Sequence, residues 1–286
     1  MISALKRLPD NAFELTITVP LEKIKTAYEK VVEGIVKETE IDGFRKGKAP
    51  KDLVEKRLDK NKTYGIALEE LLPEAYGGAV KEQNLSPIIE PRIEIVSMEE
   101  EKDWQIRAVS CEKPEIKLGD YKNKIAEITA KDKIWVPGKE KKEEKQDDSE
   151  QSKNKKLGVI IETLLKTCSV GLAEILVERE ANHELARLLE EIKKLGLTLE
   201  QYLASTGKTA EELKKDYGDK AKGNLALEFI LEAVADDLSV TVSDSDIEAE
   251  FSRASDEKTK ENLKNNRYVL SMFLRRRKTL DKLQTL

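Results

Sequence analysis

Apolar positions along the chain change period several times, and the changes divide it into elements. Residues 13–19 alternate without a break: Phe13, Leu15, Ile17 and Val19 share one face, Glu14, Thr16 and Thr18 the other. A period of two is that of a half-buried β-strand. Pro20 ends it and suits the first turn of a helix. From Leu21 the period lengthens: Leu21, Ile24, Ala27, Tyr28, Val31 and Ile35 recur every three or four residues, which predicts an amphipathic helix to about Lys37. Residues 41–50, with Gly43, Gly47 and Pro50, read as an ordered loop. A short helix after Pro50 and a longer one from about Thr63 to Gln83 follow, the second expected to kink or divide at Pro73. Two strands close this half. One lies around residues 86–98, where Pro91 suggests a sheet edge; the other lies around 103–112, with Trp104, Ile106 and Ala108 on one face. The order strand, helices, strand, strand predicts an α+β N-terminal domain, a small antiparallel sheet with helices on one side.

After residue 156 the period stays helical to the end. Residues 157–168 are apolar for their length and are expected inside a helix bundle. Leu172, Ile175, Leu176, Leu185, Leu188, Leu189 and Ile192 stripe a long helix that stops at Gly196. Thr198 with Gln201, and Thr209 with Glu212, have the spacing of capping boxes. A helix to about Asp237, another opening near Ile247 after Ser243, and a last one from about Glu257 through Leu283 complete an all-α C-terminal domain. The expected organisation is therefore 1–113 (α+β), 114–130 (an extended connection), 131–156 (a linker) and 157–286 (all-α). The linker is read from charge: 16 of its 26 residues are Asp, Glu, Lys or Arg, and it offers little to bury beyond Ile134, Trp135 and Val136.

Composition excludes several functions. Across 286 residues, 56 acidic against 51 basic side chains leave a net charge of −5, so a globally basic nucleic-acid binder is not expected. No run of about 18 apolar residues predicts a membrane span. The N-terminal residues carry charge and proline where a signal peptide needs an apolar core, which points to the cytoplasm. Cys111 and Cys168 are far apart and are expected as free thiols. His183 stands alone in a charged helical segment, too isolated for a metal site. No nucleotide-binding or nucleophile-elbow motif is present, and the carboxylates alternate with lysines as on a solvated helix face. No catalytic residue, cofactor or metal is expected.

One segment stands apart. In Gly43-Phe44-Arg45-Lys46-Gly47-Lys48-Ala49-Pro50 the glycines permit a tight turn that projects an aromatic ring beside cations. Such a ring can stack while the cations meet phosphates or carboxylates. Residues 43–62 carry eight basic and three acidic side chains, a local charge of +5. Charge alone does not single them out, because residues 267–286 (six basic, one acidic) also reach +5.

The string Gly-Phe-Arg-Lys-Gly-Lys-Ala-Pro closely resembles the signature loop of trigger factors, bacterial chaperones of the ribosomal exit tunnel. Residues 172–217 more loosely resemble that family's helical arms. The resemblance implies a ribosome-binding site of Gly43, Phe44, Arg45, Lys46, Gly47, Lys48 and Pro50, with Phe44, Arg45 and Lys46 at the contacting tip. It implies as partners the ribosome near the exit tunnel (ribosomal protein and rRNA) and unfolded nascent polypeptides, with no membrane partner and with room for weak self-association. Family members carry an FKBP-like prolyl isomerase domain between tail domain and helical body. The charged segment 131–156 stands in that place, too short for a domain, so the isomerase activity is not carried over. Three functions remain open: a ribosome-bound holding chaperone, a prolyl isomerase, and a ribosome-assembly factor that holds no client.

Overall fold

A computed structural model describes residues 2–40, 44–48, 50–132, 146–253, 261 and 263–286. The chain forms two compact units, Met1–Lys113 and Pro114–Leu286.

The first unit is a four-stranded antiparallel sheet of β1 (Ile2–Arg7), β2 (Ala12–Val19), β3 (Arg92–Ser97) and β4 (Trp104–Cys111), in the order β1-β2-β4-β3. Its helices are α1 (Leu21–Glu38), α2 (Lys51–Glu55) and α3 (Lys60–Glu82). The alternation read along 13–19 is realised in full: Phe13, Leu15, Ile17 and Val19 are buried with Trp104, Ile106 and Ala108 of β4. This face packs against Ile24, Ala27 and Val31 of α1 and Ala67, Leu68, Leu71, Ala75 and Ala79 of α3. β3 lies at an edge of the sheet, just after Pro91.

Three features differ from the sequence reading. β1 is a strand that the apolar pattern did not announce. It pairs with β2 from Ile2–Thr18 to Arg7–Phe13 through a tight turn in which Asp10 and Asn11 take positive φ. Asx residues tolerate that conformation better than most. Second, α3 starts at Lys60, because the Asp59 side chain accepts from the N–H groups of Asn61 and Lys62. Third, α3 runs unbroken through Pro73. The packing of Leu71, Ala75 and Ala79 on the sheet outweighs the one backbone bond that proline removes.

The second unit contains β5 (Ile116–Lys117), α4 (Tyr121–Asp132), α5 (Gln146–Thr167), β6 (Ser169–Val170), α6 (Glu174–Lys194), α7 (Leu199–Thr206), α8 (Ala210–Asp237), α9 (Asp244–Arg253) and α10 (Arg267–Leu283). Residues 114–130 are thus not an extended connection. They hold β5, which pairs with β6, and α4. Tyr121 and Ile125 give α4 a buried face in a core shared with Ile160, Leu164, Cys168, Ile230, Leu231, Val234 and Leu283. Among the described residues the other elements of the unit are all helices. Of the charged segment 131–156, residues 133–145 lie outside the described residues and 146–156 are the first turns of α5. The apolar run 157–168 is amphipathic rather than wholly interior: Ile160, Leu164 and Cys168 are buried, Val159 and Leu165 exposed. Both expected capping boxes form, Thr198 with Gln201 and Thr209 with Glu212. α6 packs along α8, while Ile247, Phe251 and Leu274 join α9 to α10. The expected start of the last helix near Glu257 lies outside the described residues.

Candidate functional site

The loop between α1 and α2 is built from both ends. At the first, Thr39 ends α1 by turning its N–H and hydroxyl onto the Ile35 carbonyl, at 2.9 and 2.7 Å. At the second, Val54 of α2 is buried against Ile35, Val36 and Leu58, so the short helix is pinned to α1 by an apolar contact. Between them, the Lys48 N–H donates to the Arg45 carbonyl at 2.9 Å and the Gly47 N–H to the Thr39 carbonyl at 3.3 Å. Gly47 has φ +73°, and a Cβ there would stand 2.9 Å from the Lys37 carbonyl oxygen. No other residue meets both conditions without strain.

This turn displays the residues singled out in the sequence. Phe44 is 42% exposed, unusual for so large a ring. Arg45, Lys46, Lys48 and Pro50 are exposed and Gly47 is half-buried at the turn's root, while Gly43 and Ala49 lie outside the described residues. Arg45, Lys46 and Lys48 make no ion pair among the described residues.

The second basic segment, of equal net charge, is built differently. Arg267 pairs with Asp244 (2.6 Å), Arg275 with Asp236 (2.5 Å), Arg276 with Glu228, Arg277 with Glu250 (2.9 Å) and Lys278 with Asp246 (2.5 Å). Lys282 donates to the Leu238 carbonyl at the end of α8. Most of these cations bind α10 to α8 and α9 through acidic partners, rather than serving only the dipole of their own helix. Five of the six cations of 267–286 are thus paired with acids of α8 and α9, whereas Arg45, Lys46 and Lys48 of the loop make no ion pair among the described residues.

Two sets of apolar side chains of the second unit are exposed. Leu195, Leu197 and Leu199 are exposed where α6 passes into α7, Leu195 at 75%, and Leu189, counted in the expected stripe of α6, is exposed rather than buried. The alternation Leu195-Gly196-Leu197-Thr198-Leu199 across a turn was the available signal, since a turn cannot bury all three. On α10, Tyr268, Val269 and Phe273 are 75%, 62% and 61% exposed. Phe273 borders a recess of about 530 Å³ with Leu157, Leu227, Leu231 and Leu280. Exposed apolar side chains on so charged a surface are candidates for contact with other apolar groups.

His183 is exposed on α6. Both cysteines are buried and neither is in a disulfide, and burial raises the Cys168 thiol above its ordinary range. Among the described residues no group of His, Cys, Asp and Glu could hold a metal ion, and no helix is long and apolar enough to cross a membrane.

Comparison with known proteins agrees with this architecture. Residues 1–147 match the family model of bacterial trigger factor protein, and residues 139–285 match that of the bacterial trigger factor C-terminus. The matched ranges overlap and leave no segment for a domain inserted between them. Trigger factor of Staphylococcus epidermidis is 38% identical over 122 residues, 43% of this chain and 28% of that protein. Trigger factor of Streptococcus pyogenes serotype M5 is 37% identical over 134 residues, 47% and 31% respectively. The aligned stretch thus covers less than a third of these relatives' length. A solved trigger factor chaperone, described for promiscuous substrate recognition in folding and assembly activities, matches with a TM-score of 0.68 over 100% of this chain and 99% of that chain. At 14% identity that likeness concerns the fold. With both halves of the chain matched, each by its own family model, the protein belongs to the bacterial trigger factor family.

Proposed function

We propose that this protein is a cytoplasmic chaperone that docks on the ribosome near the exit tunnel through the α1–α2 loop and holds unfolded nascent polypeptides. The observation that carries the reading is the state of the loop's charge: Arg45, Lys46 and Lys48 without an ion pair among the described residues, beside the exposed Phe44. An anionic surface of rRNA or acidic protein would give these cations the partners they lack, and the ring a face to stack on. The apolar surfaces at the α6–α7 turn and on α10 suit the second task, because an emerging chain exposes apolar segments that otherwise aggregate. Tethering at the exit raises the local concentration of client, so weak contacts suffice. The reading uses no isomerase chemistry.

Sedimentation with ribosomes tests the docking step. The variant with Phe44, Arg45 and Lys46 all changed to Ala should lose at least about 100-fold in affinity, since charge-assisted hydrogen bonds contribute roughly 1.5–3 kcal/mol each. Wild-type binding should weaken as salt rises. If the folded triple variant pellets like wild type, the contact lies elsewhere. Suppression of aggregation of a denatured protein without ribosomes separates a holding chaperone from an assembly factor.

A further inference from the structure

The first unit carries a second recess that the docking reading does not use. It has a volume of about 320 Å³ and opens between the start of α1, α2, the start of α3 and the β3–β4 connection. Three aromatic rings form its wall and floor. Tyr28 and Tyr64 lie 4.6 Å apart between centroids, and Tyr64 meets Trp104 edge-on at 5.4 Å and 82°. Trp104 is buried, and its indole N–H donates to the Glu99 carbonyl at 3.2 Å. The Asp103 carboxylate accepts the Leu21 N–H at 2.9 Å, tying the β3–β4 connection to the first turn of α1. The recess is therefore held open by fixed elements.

Its rim is acidic. Glu29, Glu55, Glu99, Glu100 and Glu101 line it, against Lys25, Lys51 and Lys60. Glu101 takes φ +60°, a left-handed conformation in which glycine would be the easier residue. Burial first, then the carboxylate of Glu55 for Tyr28 and of Glu100 for Tyr64, hold both phenols above their ordinary range. Two of the rim carboxylates have lysine partners at the solvent edge, Glu100 with Lys60 at 3.4 Å and Glu99 with Lys102 at 2.5 Å, all four side chains more than half exposed. The lysine–ring contacts among the described residues are at Tyr121 and Tyr217.

We propose that this recess receives one cationic side chain, a lysine ammonium or an arginine guanidinium, presented by a polypeptide. Aromatic faces attract a cation through their quadrupoles, and carboxylates at the rim complete its partners. An anionic or wholly apolar side chain would gain from only one of the two, or from neither.

The test is an NMR titration of the full chain carrying Trp135→Phe, which leaves Trp104 as the sole indole. Acetyl-Gly-Arg-Gly-amide should shift the Trp104 indole signal saturably. The citrulline counterpart, equal in shape but neutral, should bind at least about 5-fold more weakly. Glu100→Gln and Tyr64→Leu should each weaken the arginine peptide at least about 3-fold, and Glu100 is exposed enough that its change leaves the fold intact. Added salt should weaken binding further. Equal binding of the two peptides, or no saturable shift with either, overturns the proposal. Repeating the titration with ribosomes present separates the sources: retained binding assigns the cation to a client chain, and displacement assigns it to a basic protein of the docking surface.

Discussion

Replacement of Gly47 by alanine isolates what loop shape contributes to docking. The residue has φ +73°, and its missing Cβ faces the Lys37 carbonyl oxygen at 2.9 Å. A left-handed conformation costs an L-residue roughly 1–2 kcal/mol. The neighbour is backbone, so it cannot yield by rotating a side chain, and crowding of this kind adds roughly 1 kcal/mol. Together these place the native turn about 2–3 kcal/mol uphill. The loop then rearranges locally, while the sheet and its helices are untouched. If docking needs the native turn, the apparent dissociation constant rises as its population falls, by roughly 30- to 150-fold. The assay is a titration of ribosomes with labelled protein, beside urea unfolding of both variants. Gly34→Ala supplies the control. Gly34 lies within α1, a Cβ there meets nothing within 4 Å, and the change should stabilise by about 0.5–1 kcal/mol without altering ribosome affinity. A folded Gly47→Ala protein that binds within twofold of wild type would refute the reasoning, because the contact would then not depend on the turn.

The other expectations concern the second unit. Thr209→Ala removes a capping box at the start of α8 and should cost about 1 kcal/mol in urea unfolding, with no change in m-value. Leu164→Ala removes a fully buried side chain from the α4–α5–α8 core and should cost about 2–5 kcal/mol by the same measurement. The Asp246 carboxyl is held below its ordinary range by the Lys278 ammonium first, then by the hydroxyl and N–H of Ser243. The folded state binds that proton less readily than the unfolded chain. This contribution is therefore complete above the unfolded value of about 4 and is lost as pH falls through the folded value. Stability measured against pH should drop more steeply in acid for wild type than for Lys278→Met, and equal slopes would contradict the assignment.

Legibility differed between the two units for a physical reason. In the first, β2 and the first half of β4 bury one face more completely than the other, so their alternation survives in the sequence and Phe13 to Val19 could be placed correctly, whereas Val109, Ser110 and Cys111 at the end of β4 are all buried. β1 is an edge strand whose side chains are mostly exposed, with Ile2 at 76%. Burial imposes no pattern on such a strand, and the Pro9-Asp10-Asn11 turn was the remaining trace of it. α4 was hidden for a related reason: two residues, Tyr121 and Ile125, give it its buried apolar anchors, and the twelve-residue helix is otherwise mostly polar. Pro73 does not divide α3, because a propensity rule weighs one lost hydrogen bond and cannot see the sheet that α3 packs on.

The site shows the limit of counting charges. Residues 43–62 and 267–286 each carry +5, and composition gives no ground for preferring either. What separates them is the position of the acids, which lie far away in the chain. Asp236, Asp244, Asp246 and Glu228 reach α10 only because α8 and α9 fold beside it. Among the described residues Arg45, Lys46 and Lys48 make no such pair: Val54 and Gly47 hold the loop against α1, whose last turns offer carbonyls already engaged by Thr39 and Gly47. An ion-paired cation must lose its carboxylate before it can bind a phosphate, whereas an unpaired one gives up only water. Equal numbers of lysines and arginines thus have unequal capacity to bind, and the Phe44 loop has the greater. The same logic predicts opposite responses to salt. Screening should loosen α10 from its partners in the free protein, while for the loop it should act on the bound state alone.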